Sequence, residues 1–135
     1  MRSLGTLAGL LLLLSTLFVG GCVSGQQGQS AGGACGPKTK KNGPVKIGFS
    51  MDTLKEERWQ RDKELVEQRA KELGAELSVL VANGDDNVQT KQADNLLTQG
   101  VDVLIVAPHN GVVAASIVEA AKKQCVPVIS YDRLI

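Results

Sequence analysis

Between residues 45 and 131 the hydrophobic pattern switches repeatedly between two periods, and this alternation constrains the fold more than any other feature of the chain. Val45-Lys46-Ile47-Gly48-Phe49-Ser50-Met51 alternates apolar with small or polar residues and predicts a strand. Residues 57–73 then place Trp59, Leu65, Val66, Ala70 and Leu73 on one helical stripe, with charges elsewhere, and Gly74 follows as a left-handed cap. A second strand is predicted over 77–82, closed by the turn Asn83-Gly84-Asp85-Asp86. The second helix, about 88–99, carries Val88, Gln92, Leu96 and Leu97 at helical spacing and stops at Gly100. Residues 101–107 are apolar apart from Asp102, which suits a parallel strand covered on both faces. After the loop Pro108-His109-Asn110-Gly111, a third helix over about 112–124 leads to a fourth strand over 127–131. Pro127 opens that strand, where no ladder donor is lost.

Strict alternation of this kind predicts an α/β fold, a doubly wound parallel sheet with right-handed crossovers. Ligands of such sheets bind outside the carboxyl ends of the strands. The polar residues expected there are Asp52 and Thr53, Asn83, His109 and Asn110, and Asp132 and Arg133.

Ahead of residue 45 the composition is different. Residues 1–21 carry Arg2 near the start and an apolar run up to Val19, a signal-peptide pattern too short for a bilayer-spanning helix. The run ends in Val19-Gly20-Gly21-Cys22, which resembles the lipobox of bacterial lipoproteins, so Cys22 is the expected lipidation site and the membrane an expected partner through that anchor. Residues 22–44, rich in Gly, Gln, Ser and Pro, are expected to form a flexible tether, because they cannot bury enough apolar area to offset their ordering entropy. Cys35 lies within it and reads as an uninvolved thiol. The sequence stops at Ile135, directly past a strand end and in an apolar pair, which reads as the end of a partial amino-terminal lobe occupying 45–135. Such a lobe is expected to expose a sheet edge and a face.

Several function classes are excluded by residues. A net charge of +1, from 15 basic and 14 acidic residues, leaves no electrostatic footprint for nucleic acid. Three cysteines, Cys22, Cys35 and Cys125, are too few and too irregular for a disulfide framework or a zinc site, and no metal or cofactor is expected. Asp85 and Asp86 lack the spacing of a calcium loop and read as a helix cap. The turn after the first strand has no glycine to cradle phosphate, and a receiver domain would need aspartate where Pro108 and His109 stand. The single histidine has no evident serine or acid partner, so an enzyme is not expected.

Against that background, several phrases are similar to one family. They are Lys46-Ile47-Gly48-Phe49-Ser50 leading into Glu57-Arg58-Trp59-Gln60, then Ala82-Asn83-Gly84-Asp85, Gln99-Gly100-Val101-Asp102-Val103-Leu104-Ile105, Pro108-His109-Asn110-Gly111 and Pro127-Val128-Ile129-Ser130-Tyr131-Asp132-Arg133. The chain over 45–135 resembles the periplasmic sugar-binding proteins of ABC importers, in the pentose-binding group with the type I two-lobe fold. The resemblance implies a monosaccharide ligand, D-xylose foremost, and the membrane subunits of an ABC transporter as partners. A sugar-sensing receptor domain for another pentose or a related small ligand is the alternative.

By the family pattern Arg58 and Trp59 at the start of the first helix, and Asp132 and Arg133 after the fourth strand, touch the sugar, with Asn110 a further candidate. The chemistry suits a pyranose, whose hydroxyls want carboxylates and guanidinium forks and whose C–H face wants an aromatic plane. By spacing alone Trp59 also fits a core position, Asp132 and Arg133 a solvated turn pair, and Asn110 a turn into a helix.

Overall fold

The computed structural model describes Cys35, Gly36 and residues 42–135. The expected signal segment, Cys22 and most of the expected tether lie outside the described residues. The chain runs β1 (Lys46–Met51), α1 (Glu57–Glu72), β2 (Glu76–Val81), α2 (Asp86–Thr98), β3 (Val103–Ala107), α3 (Gly111–Lys123) and β4 (Val128–Ser130). All pairings are parallel, in the order β2-β1-β3-β4. The alternation of periods is thus realised as a parallel α/β sheet with helices on both faces.

Side-chain alternation along β1 sorts the core into two layers. Phe49 and Met51 pack with Trp59 of α1 and Ala107 on one face. On the other, Leu104 and Val106 of β3 meet Ala93, Leu96 and Leu97 of α2 and Ala114, Ile117 and Ala121 of α3. Phe49, Met51, Leu96, Leu104 and Ile117 are at most 1% exposed, and burial of each contributes about 1.5–3 kcal/mol relative to exposure. Gly48 decides how closely α2 approaches β1. A Cβ there would stand 3.1 Å from Leu104 Cδ1 and 3.2 Å from Leu96 Cβ, so only glycine leaves the helix its present seat.

The helix ends follow their local chemistry. Asp85 caps α2, its carboxylate accepting from Asn87 N at 2.8 Å and Val88 N at 3.0 Å. Gly74 and Gly100 follow α1 and α2 with φ of 68° and 77°, the left-handed conformation that glycine adopts without steric cost.

Four expectations need correction. Leu65 and Leu73 do not join the buried stripe of α1, which consists of Trp59 and Ala70 with Val66 partly buried. Leu65 lies about 100° around the helix from Val66, and Leu73 is the C-cap, past the last turn. In α2 the buried positions are Gln89, Ala93, Leu96 and Leu97, while Val88, about 100° around the helix from Gln89, is 38% exposed. β3 begins at Val103, since Asp102 turns its carboxylate to accept from Lys46 N at 2.9 Å. Its α2 and α3 face is closed, whereas Val103 and Ile105 on the other face are only partly buried, because α1 packs chiefly along β2. Both outer strands, β2 and β4, pair on one side only among the described residues, and β4 leaves Ile129 51% exposed.

The fourth correction concerns Cys35, which is not an uninvolved thiol. It forms a disulfide with Cys125, in the turn between α3 and β4, across 90 residues of sequence and with Cα atoms 5.3 Å apart. Cys125 reaches it from a left-handed backbone conformation, φ 56°, just after the C-cap of α3. A structural disulfide is the chemistry of oxidising compartments.

Candidate functional site

The order β2-β1-β3-β4 reverses direction between β1 and β3, since the chain leaves β1 through α1 on one face and β3 through α3 on the other. The crevice of an open α/β sheet lies at such a reversal, outside the carboxyl ends of the strands. Here those ends deliver Asp52 after β1, Pro108 and His109 after β3, and Tyr131, Asp132 and Arg133 after β4.

The last of these segments is a tight turn. Arg133 N donates to Tyr131 O at 2.8 Å, and Tyr131 N continues the sheet ladder to Val106 O at 2.8 Å. The Ser130 hydroxyl donates to Arg133 O. Asp132 sits at the apex with φ 66°, a left-handed conformation that aspartate tolerates better than most residues. The turn aims two side chains in different directions. Asp132 Oδ1 accepts from Arg58 Nη2 at 2.5 Å, and Arg133 Nη1 reaches Asp52 Oδ2 at 3.3 Å.

Arg58 enters from the first turn of α1, and its guanidinium carbon stands 4.1 Å over the centroid of the Trp59 ring. It is therefore held by a carboxylate and an indole face together. The hydrogen bond to Asp132 raises its pKa above the ordinary arginine value, with desolvation acting the other way. Trp59 itself is only 5% exposed and packs with Phe49, Met51 and Ala107. Its place is thus in the core, and in this structure the plane expected to face a sugar is covered by the Arg58 guanidinium.

Asp52 is the buried acid of the cluster, with its side chain 6% exposed. Its Oδ1 accepts from His109 Nδ1 at 3.0 Å and its Oδ2 from Arg133. Arg133 Nη1 also donates to the carbonyls of Pro108 at 3.1 Å and His109 at 3.2 Å. Behind them Gln89 of α2 donates through Nε2 to Ala107 O at 2.9 Å and accepts from His109 N at 3.0 Å. One buried amide therefore satisfies two backbone groups at the end of β3 that would otherwise be unpaired.

Tyr131 stacks edge-on to Phe49, with centroids 5.7 Å apart. Burial, then a hydrogen bond to Asp62, raises its phenol above the ordinary value of 10.0.

Of the residues expected at the carboxyl edge, the structure thus joins Arg58, Trp59, Asp132, Arg133, Asp52 and His109 in one connected cluster. Asn110 lies beside it as the N-cap of α3, its Oδ1 accepting from Val112 N at 3.0 Å and Val113 N at 3.3 Å. That oxygen is committed to the helix, and the side-chain amide Nδ2 is the group it can offer a ligand. Thr53 and Asn83 are used locally. The Thr53 hydroxyl accepts from Lys55 N at 3.1 Å, and Asn83 makes the turn after β2 with φ 56°. Sequence reading missed Gln89, although its spacing to Ala93 and Leu96 puts it on the buried face of α2.

Comparison with known proteins agrees with this architecture. Residues 47–135 match the periplasmic binding protein domain family. The chain is 44% identical over 91 residues to the D-xylose-binding periplasmic protein of Haemophilus influenzae, covering 67% of this chain and 27% of the relative. It is 43% identical over 91 residues to the D-xylose-binding periplasmic protein of Escherichia coli, covering 67% and 28%. Among solved structures, a carbohydrate transporter solute-binding protein from Chloroflexus aurantiacus in complex with D-glucose superposes with a TM-score of 0.65 at 33% identity. That match covers 70% of this chain and 28% of the other. The chain spans little more than a quarter of the length of these relatives. With its parallel sheet, its crossover order and the family match over 47–135, the chain belongs to the periplasmic binding protein domain family and has the type I fold.

Proposed function

We propose that these residues form one wall of a monosaccharide site in a solute-binding protein that serves an ABC importer, with D-xylose foremost among the candidate sugars. One observation carries the reading: Asp132 stands between two guanidinium groups, paired with Arg58 Nη2 across 74 residues of sequence and 3.7 Å from Arg133 Nε, while the Arg58 guanidinium lies over the Trp59 indole. Two guanidinium groups and a carboxylate offer both donors and acceptors to a set of ring hydroxyls. The relatives' names add support, since they describe binding and import proteins rather than enzymes.

In this reading a sugar takes over hydrogen bonds that Arg58 and Asp132 now make to each other. The guanidinium moves aside, and the C–H face of the ring lies on Trp59. Asn110 contributes its side-chain amide from the neighbouring loop. The relatives' greater length supports a second wall supplied by further sequence, with the cleft closing around the ligand. Export, anchoring through Cys22 and delivery to transporter membrane subunits complete the proposal.

The test is a titration of the full-length protein with D-xylose, followed by Trp fluorescence and by product analysis. Saturable binding that perturbs Trp59 emission, absent in a W59F variant, with the sugar recovered unchanged, is the expected result. Chemical conversion of the sugar, or no saturable binding of any pentose or hexose, would overturn the reading. Binding of D-ribose in preference to D-xylose would favour a receptor for another pentose.

A further inference from the structure

Arg133 is held unusually on one side. Its Nη1 alone meets the Asp52 carboxylate and the carbonyls of Pro108 and His109, while its Nε lies 3.7 Å from Asp132 Oδ2. No described residue hydrogen-bonds its Nη2. Three acceptors around Nη1 hold that end of the planar guanidinium, while Nη2 of the fork remains for a ligand.

The anchor is itself anchored. Asp52 is 5% exposed, and its second oxygen is occupied by His109 Nδ1 at 3.0 Å. Because a carboxylate only accepts, Nδ1 carries the hydrogen of this contact, and the ring is locked as a donor. Gln89 holds the backbone from which the ring extends, accepting from His109 N at 3.0 Å. Asp52 comes from the end of β1 and His109 from the end of β3, so the pair also ties together the two strands at the crossover reversal.

We propose that Asp52 and His109 are positioning residues that set the orientation of the Arg133 guanidinium, and so the affinity of the site, without touching the sugar themselves. The inference rests on the sugar-site reading above. It assigns a task to the chain's one histidine and to its most buried carboxylate at the site edge, which the binding of a sugar does not otherwise use.

The experiment is a double-mutant cycle on the full-length protein with D-xylose as probe. Asp52→Asn and Arg133→Gln should each weaken binding by about tenfold or more, as expected for loss of a hydrogen bond to a charged group. The double variant should be no weaker than Arg133→Gln alone, because Asp52 acts through Arg133. His109→Leu should weaken binding by several-fold, whereas His109→Asn, whose amide nitrogen can stand in for Nδ1, should restore it. Losses that simply add would overturn the proposal in favour of a general structural role.

A sugar-free readout separates the inference from the reading beneath it. Nitrogen NMR of the ligand-free protein, with His109 assigned by its loss in His109→Asn, should show hydrogen on Nδ1, and this state should be lost in Asp52→Asn. Should Asp52→Asn not fold, the His109→Leu and His109→Asn pair decides the matter. Hydrogen on Nε2 alone would overturn the proposal whatever the sugar does. If Arg133→Gln binds D-xylose normally while the NMR result holds, the sugar-site reading fails instead, and with it the consequence for affinity.

Discussion

Arg58 and Asp132 lie 74 residues apart in sequence and form a 2.5 Å ion pair directly above the indole of Trp59. The pair joins the first turn of α1 to the turn after β4, the two segments that the family resemblance singles out for sugar contact. Its side chains are 55% and 28% exposed, so water screens it and it adds little to stability. A pair so placed costs little to open.

Asp132→Asn follows from this directly. Asparagine tolerates the left-handed backbone at this position, so thermal denaturation should show a melting temperature close to that of the unsubstituted protein. Calorimetric titration of the full-length protein with D-xylose should show affinity falling by about tenfold or more. A variant that loses stability but keeps affinity would mark the pair as structural only.

The Cys35–Cys125 bridge fixes the segment ahead of β1 to the opposite end of the sheet from the proposed site. Closing a loop of that length restricts the unfolded chain, and removal of such a bridge typically costs about 2–4 kcal/mol. Thermal denaturation with and without reductant should show the loss. Cys35→Ser and Cys125→Ser should each match the reduced protein, and the double variant should add nothing. Equal melting temperatures in both redox states would contradict the bridge.

Gly48→Ala tests the seat of α2. The added methyl would meet Leu104 Cδ1 at 3.1 Å and Leu96 Cβ at 3.2 Å, and both partners are fully buried. Overpacking of this kind costs about 1–3 kcal/mol. Denaturant unfolding should report it, and an unchanged midpoint would mean that α2 shifts freely.

Tyr131 is the single tyrosine of the chain, so its titration can be followed by tyrosinate absorbance. Burial and the hydrogen bond to Asp62 raise its pKa above 10.0 in the folded state. A raised folded pKa favours the neutral phenol, so its contribution to stability is fully present below pH 10.0 and is lost as pH rises through the folded value. Absorbance should rise only at a pH above that of the unfolded chain. Coincident titration curves for folded and denatured protein would contradict the half-buried placement beside Asp62.

Much of this fold was legible because its signals are local. The Asp85 cap and the glycines at 74 and 100 announce helix ends within a few residues of where they lie. The candidate site was legible only as far as the strand ends were, since any polar residue at a carboxyl edge qualifies before its partners are known. What stayed hidden depends on distance in sequence. The Cys35–Cys125 bridge spans 90 residues, and Asp52 meets Arg133 across 81. Gln89 was obscured by a different cause: helical spacing marks a buried face, yet a polar residue on it gains its partners only when β3 and the His109 loop arrive. Trp59 shows why a core position need not be closed on every side, since its ring packs with Phe49, Met51 and Ala107 and still carries the Arg58 guanidinium over one face.

Whether the carboxyl edge of this sheet holds a carbohydrate, as proposed, is decided by a crystal structure of the full-length protein grown with D-xylose. A sugar is expected within hydrogen-bonding distance of Arg58, Asp132 and Arg133, with the Arg58 guanidinium displaced and the ring lying on the Trp59 indole. A sugar bound elsewhere, with the Arg58–Asp132 pair intact and Trp59 still covered, would contradict it.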